Sequence, residues 1–398
     1  MHKVAIVAAA RTPTGRFQGA LAPLSAVDLG AAVINALIAR AGIEPALINS
    51  VLMGQVLTAG CGQNPARQSA VRAGIPVTAS AMTLNLVCGS GLQAVIEGAR
   101  AVALGDAEVV IAGGQESMSN APYLLPGARA GLRAGHRQLQ DSVIQDGLWD
   151  AFNDYHMGIT AENLASRFNV SREAQDAFAL GSQQKAIAAQ AAGRFAEEIV
   201  PLNVPAGRGK TLTVDSDEQP RADASAESLA ALRPAFIPGS GTVTAGNAST
   251  LNDGAAAVLL MREDKAAELG LPVLATIAGY ATAGVEPEIM GFGPVPATLA
   301  CLSKAGWQTG DLDLVEGNEA FAVQALVVLE ALKLDPSKVN VNGGAIALGH
   351  PIGASGCRIL VSLLHEMRRR GSAKGLATLC VGGGQGVALA VARPGGEQ

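Results

Sequence analysis

A chain of 398 residues that is 49% hydrophobic, only 3% aromatic and carries 48 glycines must fill its interior with Ala, Val, Ile and Leu and must turn often. That composition suits an α/β enzyme better than a barrel or a disordered chain, and the length predicts two or three folded units, possible as interlocked parts of one body. A net charge of -5 with no long basic run gives nucleic acid nothing to hold, and no apolar run is long enough to span a bilayer.

At the amino end Met1-His2-Lys3-Val4-Ala5-Ile6-Val7-Ala8-Ala9-Ala10-Arg11 reads as a first strand, too short and too early for the apolar core of a signal peptide. The cysteines Cys61, Cys88, Cys301, Cys357 and Cys380 are odd in number and lack the CxxC spacing of zinc or redox sites, so free thiols and no metal site are expected. Both points place the chain in the reducing cytoplasm.

Residues 83–119 run as strand end, glycine turn (Cys88-Gly89-Ser90-Gly91), helix, Gly105-Asp106 turn, strand (Glu108 to Ala112) and Gly113-Gly114-Gln115. In that helix Leu92, Val95, Ile96, Ala99, Val102 and Ala103 recur at helical spacing among small or apolar neighbours, which predicts burial on all sides. From 120 to 248 the composition shifts toward Gln, Asp, Glu, Arg and Pro, with a helical stretch from Ala174 to Gly193 and a polar segment from Gly207 to Pro220. This reads as an inserted domain. Asn252 to Met261 returns as a core strand of the first half, a second half begins near Leu271, and Leu312 to Gly317 forms a strand leading to Asn318-Glu319-Ala320-Phe321.

Residues 339–390 then repeat the first pattern: Gly343-Gly344, an Ala354-Ser355-Gly356 turn, a helix that turns basic at His365 and Arg368 to Arg370, the strand Leu376 to Cys380, and Gly383-Gly384-Gln385. Ser90-Gly91 answers Ser355-Gly356, and Gly114-Gln115 answers Gly384-Gln385. The predicted organisation is an N-terminal half (1–119 with 249–270), an inserted loop domain (120–248) and a C-terminal half (271–398). The two βαβ-rich halves are expected to pack about a pseudo-twofold axis.

Four segments carry residues suited to chemistry. Cys88 stands between a strand and a helix start, where backbone N–H groups and the helix dipole are expected to lower its pKa. Gly89 and Gly91 are expected to sharpen the turn and leave room for a ligand above the sulfur. His350, in Gly349-His350-Pro351-Ile352-Gly353, is placed to accept the Cys88 proton or to direct an N–H at a carbonyl oxygen. Cys380 ends a strand before Gly382-Gly383-Gly384; its thiol is placed to shuttle a proton, and the glycine amides to bind an oxyanion. Asn318 supplies an amide that can fix a water or a carbonyl, and Glu319 is either an orienting group behind it or an ordinary helix-start carboxylate. A lone cysteine or a lone loop histidine is more often structural; it is the four together that point to acyl transfer.

In order along the whole chain, from Ala10-Arg11-Thr12-Pro13 to the Cys380 block, these motifs closely resemble the thiolases, which make or break a carbon–carbon bond between an acyl-CoA and acetyl-CoA. The resemblance implies duplicated α/β halves in five layers, α-β-α-β-α. It also implies Cys88 as the acylated nucleophile, His350 as its activator and Cys380 as the acid/base at the acetyl-CoA α-carbon. Two oxyanion holes come with it: one from His350 and a water held by Asn318, the other from the N–H groups of Cys88 and Gly382. The reaction implied is condensation of two acetyl-CoA to acetoacetyl-CoA and CoA, reversibly and by a ping-pong route through acetyl-Cys88.

By the same resemblance Leu148, His156, Met157, Arg221, Phe236, Ser249, Met290 and Phe321 line the coenzyme A path. Arg208 and Lys210 join Arg221 as candidates for its phosphates, solvation being the plainer role of the first two. His156-Met157-Gly158 favours the short-chain acetoacetyl-CoA type over the degradative, broader-chain 3-ketoacyl-CoA type. Ala320 before Phe321 departs from the potassium-activated branch, so no ion is expected, and coenzyme A is a substrate, not a cofactor. Pro122 to Val143, with Leu124-Leu125 and scattered arginines, resembles the loop that joins dimers into tetramers, and an edge strand near 83–88 is expected to pair across a dimer; a plain surface loop is the alternative to the former. Two other classes remain: a decarboxylating condensing enzyme, against which Cys380 argues, and a non-catalytic acyl-CoA carrier, which needs no second sulfur.

Overall fold

The computed structural model describes residues 2–207 and 209–395. Nine strands are hydrogen-bonded in one mixed sheet: β1 (Val4–Arg11), β2 (Ser50–Gly54), β3 (Ser80–Leu84), β4 (Val109–Ser117), β5 (Asn252–Arg262), β6 (Ala275–Gly284), β7 (Leu314–Gly317), β8 (Lys374–Val381) and β9 (Gln385–Ala392). Their order is β7-β8-β9-β6-β1-β5-β4-β2-β3, and the short strand Gly15–Arg16 adds itself to β5. The two halves share only the pairs Ala5–Thr276 and Ile6–Ala275. That narrow join lets each half turn its inner face toward the other.

Among the described residues eight helices have eight or more residues: α1 (Ala26–Ala41), α2 (Pro65–Arg72), α3 (Ser90–Leu104), α4 (Met157–Phe168), α5 (Arg172–Ala191), α6 (Pro294–Ala305), α7 (Ala322–Leu332) and α8 (Ser355–Arg370); of these α1, α2, α3, α6 and α8 pack on the sheet. Between the inner faces lie α3 and α8, with Leu92 and Ile96 meeting Ile359 and Leu360 in a core that also takes Val110 and Leu260 from one half and Leu379 and Val387 from the other. Residues one step along the same strands face the opposite way: Ile111 and Leu259 meet α1 and α2, while Leu376 and Ala388 meet α6. The strands are therefore apolar on both faces. Five layers result, as the sequence led one to expect. Each fully buried Leu or Ile in the middle layer contributes about 1.5–3 kcal/mol, and that layer needs both halves to be buried.

One expectation needs correcting. Helix α3 is not buried on all sides: Glu97 and Arg100 form an ion pair at 2.7 Å on its outer edge, where Arg100 also lies 5.2 Å over Tyr280. A helix between two sheets still has two open flanks.

The segment between the halves contains α4, α5, a turn of π-helix at Val143–Leu148 and three short hairpins. Helix α5 begins at Arg172, two residues ahead of the predicted start, because Ser171 caps it by accepting from the Ala174 N–H. The segment is fastened to β1 by a buried ion cluster in which Arg11 donates to Glu198 at 2.6 Å and to both oxygens of Asp217 at 2.7 and 2.9 Å. Removing either acid would leave the buried guanidinium with one carboxylate in place of two. No helix among the described residues is long and apolar enough to cross a membrane.

Candidate active site

Helices α3 and α8 both start without a side-chain cap, whereas α1 and α5 are capped by Ser25 and Ser171. Their open N-termini meet at the seam between the halves, and the turns that lead into them carry Cys88 and His350.

The cysteine turn is strained at Val87, whose φ of 44° puts a β-branched residue in the left-handed region at a cost of about 1–2 kcal/mol. Ser90 holds it there: its hydroxyl accepts from the Leu86 N–H at 2.8 Å and donates to the Val87 carbonyl at 2.6 Å. The glycines do something other than the sequence suggested. A Cβ on Gly89 would lie 2.8 Å from a Val381 methyl and 3.0 Å from one of Val387, and a Cβ on Gly91 would lie 3.0 Å from the Gly353 carbonyl oxygen. They make room for the other half of the molecule, not for a ligand.

The expected depression of the Cys88 pKa is also overturned. Burial pushes the thiol up to about 11, against the lowering effect of N–H groups donated to the sulfur by Gly382 and Cys88 itself; the Glu116 carboxylate adds to the rise. Desolvation outweighs the helix terminus. At neutral pH Cys88 is a thiol.

His350 Nδ1 is 2.6 Å from Ser355 Oγ, and the Ser355 hydroxyl lies 2.9 Å from the Pro351 carbonyl, to which it can donate. With the one hydroxyl hydrogen on that carbonyl the hydroxyl accepts, Nδ1 carries the imidazole proton, and Nε2 presents a bare lone pair. Nε2 is buried without a protein partner. Burial, aided by the charge of Arg358, lowers the imidazole to about 3, so it is neutral at any working pH. Ser355 repeats in the second half what Ser90 does in the first.

Cys88, His350 and Gly382 line one pocket of about 780 Å³. Cys380 and Asn318 do not line it. Cys380, on β8, is fully buried in a cluster with Met157, Met290 and Phe321; burial pushes its thiol up, and the nearby Cys88 pushes it further. Asn318 follows β7, is 2% exposed, and neither atom of its amide has a protein partner. It borders a separate small cavity with Gly317, Gln324 and Thr378. Both residues thus stand behind the pocket wall.

All eight residues expected along the coenzyme A path line the pocket. Leu148 ends the π-helical turn, and Met157, Met290 and Phe321 close the floor over Cys380. His156 caps α4 by accepting from the Gly158 N–H at 3.0 Å and stacks on Phe236 with centroids 4.7 Å apart. Burial lowers its pKa. Ser249 is anchored by its own N–H to the Ala320 carbonyl at 2.9 Å, and Arg221 is exposed at the mouth. Lys210 is exposed away from the lining, and Arg208 lies outside the described residues.

Several residues of the site escaped the sequence reading, among them Arg16, Phe17 and Ser355. Arg16 and Phe17 reach the mouth beside Arg221, brought there by the pairing of Gly15–Arg16 with Asn252 and Asp253; the signal available was only a cation after the Arg11-Thr12-Pro13 block. Ser355 was visible as the partner of Ser90 in the repeat, but its hold on His350 was not. The two readings of Glu319 are resolved. It is buried and accepts from Ser182 at 2.7 Å, Asn340 at 2.8 Å and the Ile346 N–H at 3.3 Å, so it joins α5 to the turns flanking Asn318 and starts no helix.

A thiol and an imidazole thus stand at the uncapped ends of two pseudo-equivalent helices, on one pocket. Residues 4–264 match the thiolase N-terminal domain and residues 271–393 the thiolase C-terminal domain: the chain belongs to the thiolase family. It is 65% identical to the acetyl-CoA acetyltransferase of Pseudomonas aeruginosa over 99% of this chain and all of that one. With the acetyl-CoA acetyltransferase of Cupriavidus necator it shares 61% over 99% and 100% of the respective lengths. The crystal structure of the Bacillus anthracis acetyl-CoA acetyltransferase superimposes with a TM-score of 0.97 at 48% identity, and that of human mitochondrial 3-ketoacyl-CoA thiolase with 0.95 at 44%, each over 99% of both chains.

Proposed function

We propose that the chain is an acetyl-CoA C-acetyltransferase, reversibly joining two acetyl-CoA into acetoacetyl-CoA and CoA, with thiolysis the downhill direction. The observation that carries the reading is the bare Nε2 of a neutral His350 on the same pocket as the protonated Cys88 thiol. Between a thiol at about 11 and an imidazole at about 3 a complete proton transfer costs on the order of 11 kcal/mol before the attraction of the two new charges is counted. His350 therefore takes the proton as sulfur bonds to the acetyl carbon, as a general base.

The carbonyl oxygen of the tetrahedral intermediate is met by the N–H groups of Cys88 and Gly382, and CoA leaves with a proton from Cys380, giving acetyl-Cys88, a Cys380 thiolate and a His350 that keeps the Cys88 proton on Nε2. A second acetyl-CoA then enters. The Cys380 thiolate removes its α-proton, the developing enolate oxygen is held by the Nε2–H of His350 and by a water fixed by Asn318, and the carbanion attacks acetyl-Cys88; the Cys88 sulfur leaves with the proton of His350, giving acetoacetyl-CoA and the free thiol. For these steps Cys380 and Asn318 must be reached through the wall formed by Met157, Met290 and Phe321, which is how a short acyl group is preferred to a long one. Every step uses side chains, backbone N–H groups and one water, so no resident cofactor or metal is called for. A cytoplasmic homotetramer built through residues 122–143 and edge strand β3 completes the reading.

The test is thiolysis of acetoacetyl-CoA by CoA, followed through the enolate absorbance, together with peptide mass after incubation with acetyl-CoA. One acetyl group on the peptide containing Cys88, absent in Cys88→Ser, is expected. Label on another peptide, or activity only with malonyl thioesters, would overturn the reading. A kcat/KM series from C4 to C10 3-ketoacyl-CoA separates it from a broader-chain thiolase.

A further inference from the structure

Glu116, on β4, is fully buried, and its carboxylate accepts three backbone N–H bonds. Oε2 takes those of Val56 and Gly353, both at 3.0 Å, and Oε1 takes that of Leu57 at 3.3 Å. Val56 and Leu57 follow β2 in the first half. Gly353 belongs to the turn of the second half that carries His350. One side chain thus ties the histidine turn to the body that carries the cysteine.

The surrounding packing leaves this contact no slack. A Cβ on Gly353 would lie 2.7 Å from Glu116 Oε2, and a Cβ on Gly114 would lie 2.1 Å from the Gly353 carbonyl oxygen. The turn is seated directly on the backbone of β4. Val56, Leu57 and Ile352, which flank the three bonded amides, form a small apolar cluster against which Cys88 itself packs. The clamp therefore sits behind both reacting groups and touches neither the pocket nor the substrate.

We propose that the Glu116 carboxylate is a positioning residue for acyl transfer: by gathering the N–H groups of Gly353, Val56 and Leu57 it sets His350 at its working distance from Cys88. The proposal rests on the acyltransferase reading for its kinetic consequence. Oxygen Oε2, with two donors, has most to lose when the acceptor weakens, and one of those donors is in the histidine turn. Displacing a reacting group by about 1 Å costs roughly 100-fold in rate.

The clamp is also titratable. Burial raises Glu116 to about 7 in spite of the three N–H bonds. The other charged or titratable groups that face it are Asp253 on β5, the Cys88 thiol and the Cys61 thiol. Neither His350 at about 3 nor Cys88 at about 11 titrates near neutrality. A kinetic limb near pH 7 that disappears with the Glu116 carboxyl thus reports the clamp.

The experiment measures single-turnover acetylation of Cys88 at saturating acetyl-CoA from pH 5.5 to 8.5. Wild-type protein is expected to rise to a plateau with a midpoint near 7. Glu116→Gln, which keeps one acceptor but turns an N–H₂ toward an N–H, is expected to be flat and about 10–100-fold below that plateau, with KM within about threefold. The same limb in the variant, a plateau within threefold of wild type, or an effect confined to KM overturns the proposal. If Glu116→Gln does not fold, Glu116→Asp decides: a lowered plateau at unchanged KM supports the clamp, and wild-type kinetics overturn it. A second arm needs no substrate. Hydrogen exchange in the segments around Val56 and Gly353, corrected for its intrinsic pH dependence, should slow through pH 7 in wild type and lose that step in the variant; no step in wild type overturns the clamp even if acetylation fails, which would sink the acyltransferase reading separately.

Discussion

Replacing Ser355 with alanine tests the tautomer on which acyl transfer depends. The hydroxyl accepts from His350 Nδ1 at 2.6 Å and passes its own hydrogen to the Pro351 carbonyl at 2.9 Å. Ser355 is fully buried, so its loss leaves the Nδ1–H without a partner, at about 1–3 kcal/mol. The imidazole can avoid that cost by moving its proton to Nε2, which removes the base that faces Cys88. Either outcome raises the barrier by a similar amount, and 1–3 kcal/mol corresponds to roughly 5–150-fold in kcat. KM should hold, because Ser355 does not line the pocket. The assay is steady-state thiolysis of acetoacetyl-CoA, corrected for folded fraction by thermal melting, with Ser355→Thr as the variant that keeps a hydroxyl. If Ser355→Ala retains kcat within threefold while His350→Ala abolishes it, the tautomer is set by something other than Ser355.

Two further outcomes are expected. In Cys380→Ser, acetylation of Cys88 should survive within a few-fold while condensation falls by about 10²–10⁴, the usual worth of a general acid or base; parallel loss of both would mean that Cys380 supports the site instead of moving a proton. Stability should fall from pH 6.5 to 8. Glu116 and Glu316 are raised by burial to about 7 and about 8, so from about pH 4.5, where the unfolded chain releases these protons, up to the native values the folded state holds protons that the unfolded chain has lost, and stability falls with rising pH by up to about 1.4 kcal/mol per pH unit per group. Below pH 6.5 that fall is opposed, because His350, His156 and His365 are all lowered by burial and take up protons on unfolding. Melting temperatures that keep climbing from pH 6.5 to 8, or an alkaline decline unchanged in Glu316→Gln, would refute this account.

The sequence by itself determined the chemistry on offer and the duplication that organises it. Cys88, His350, Cys380 and Asn318 stand out because each interrupts an apolar or glycine-rich run, and the pairing of Ser90-Gly91 with Ser355-Gly356 is visible without any contact. Strand and helix periodicity, which depends only on neighbours in the chain, located six of the nine main sheet strands and the two middle-layer helices, and missed Ser50–Gly54, Ala275–Gly284 and Gln385–Ala392. Protonation and role were decided by the tertiary structure. Cys88 is a thiol at about 11 and not a depressed thiolate, since desolvation depends on what the other half lays over the sulfur. Gly89 serves the approach of Val381 and Val387, and Glu319 serves Ser182, Asn340 and Ile346. Glu116 reads locally as an unremarkable strand residue, yet Gly353, which it holds at 3.0 Å, lies 237 positions away. A carboxylate's partners, a histidine's tautomer and a thiol's pKa are set within about 3 Å by groups that only the folded chain brings together.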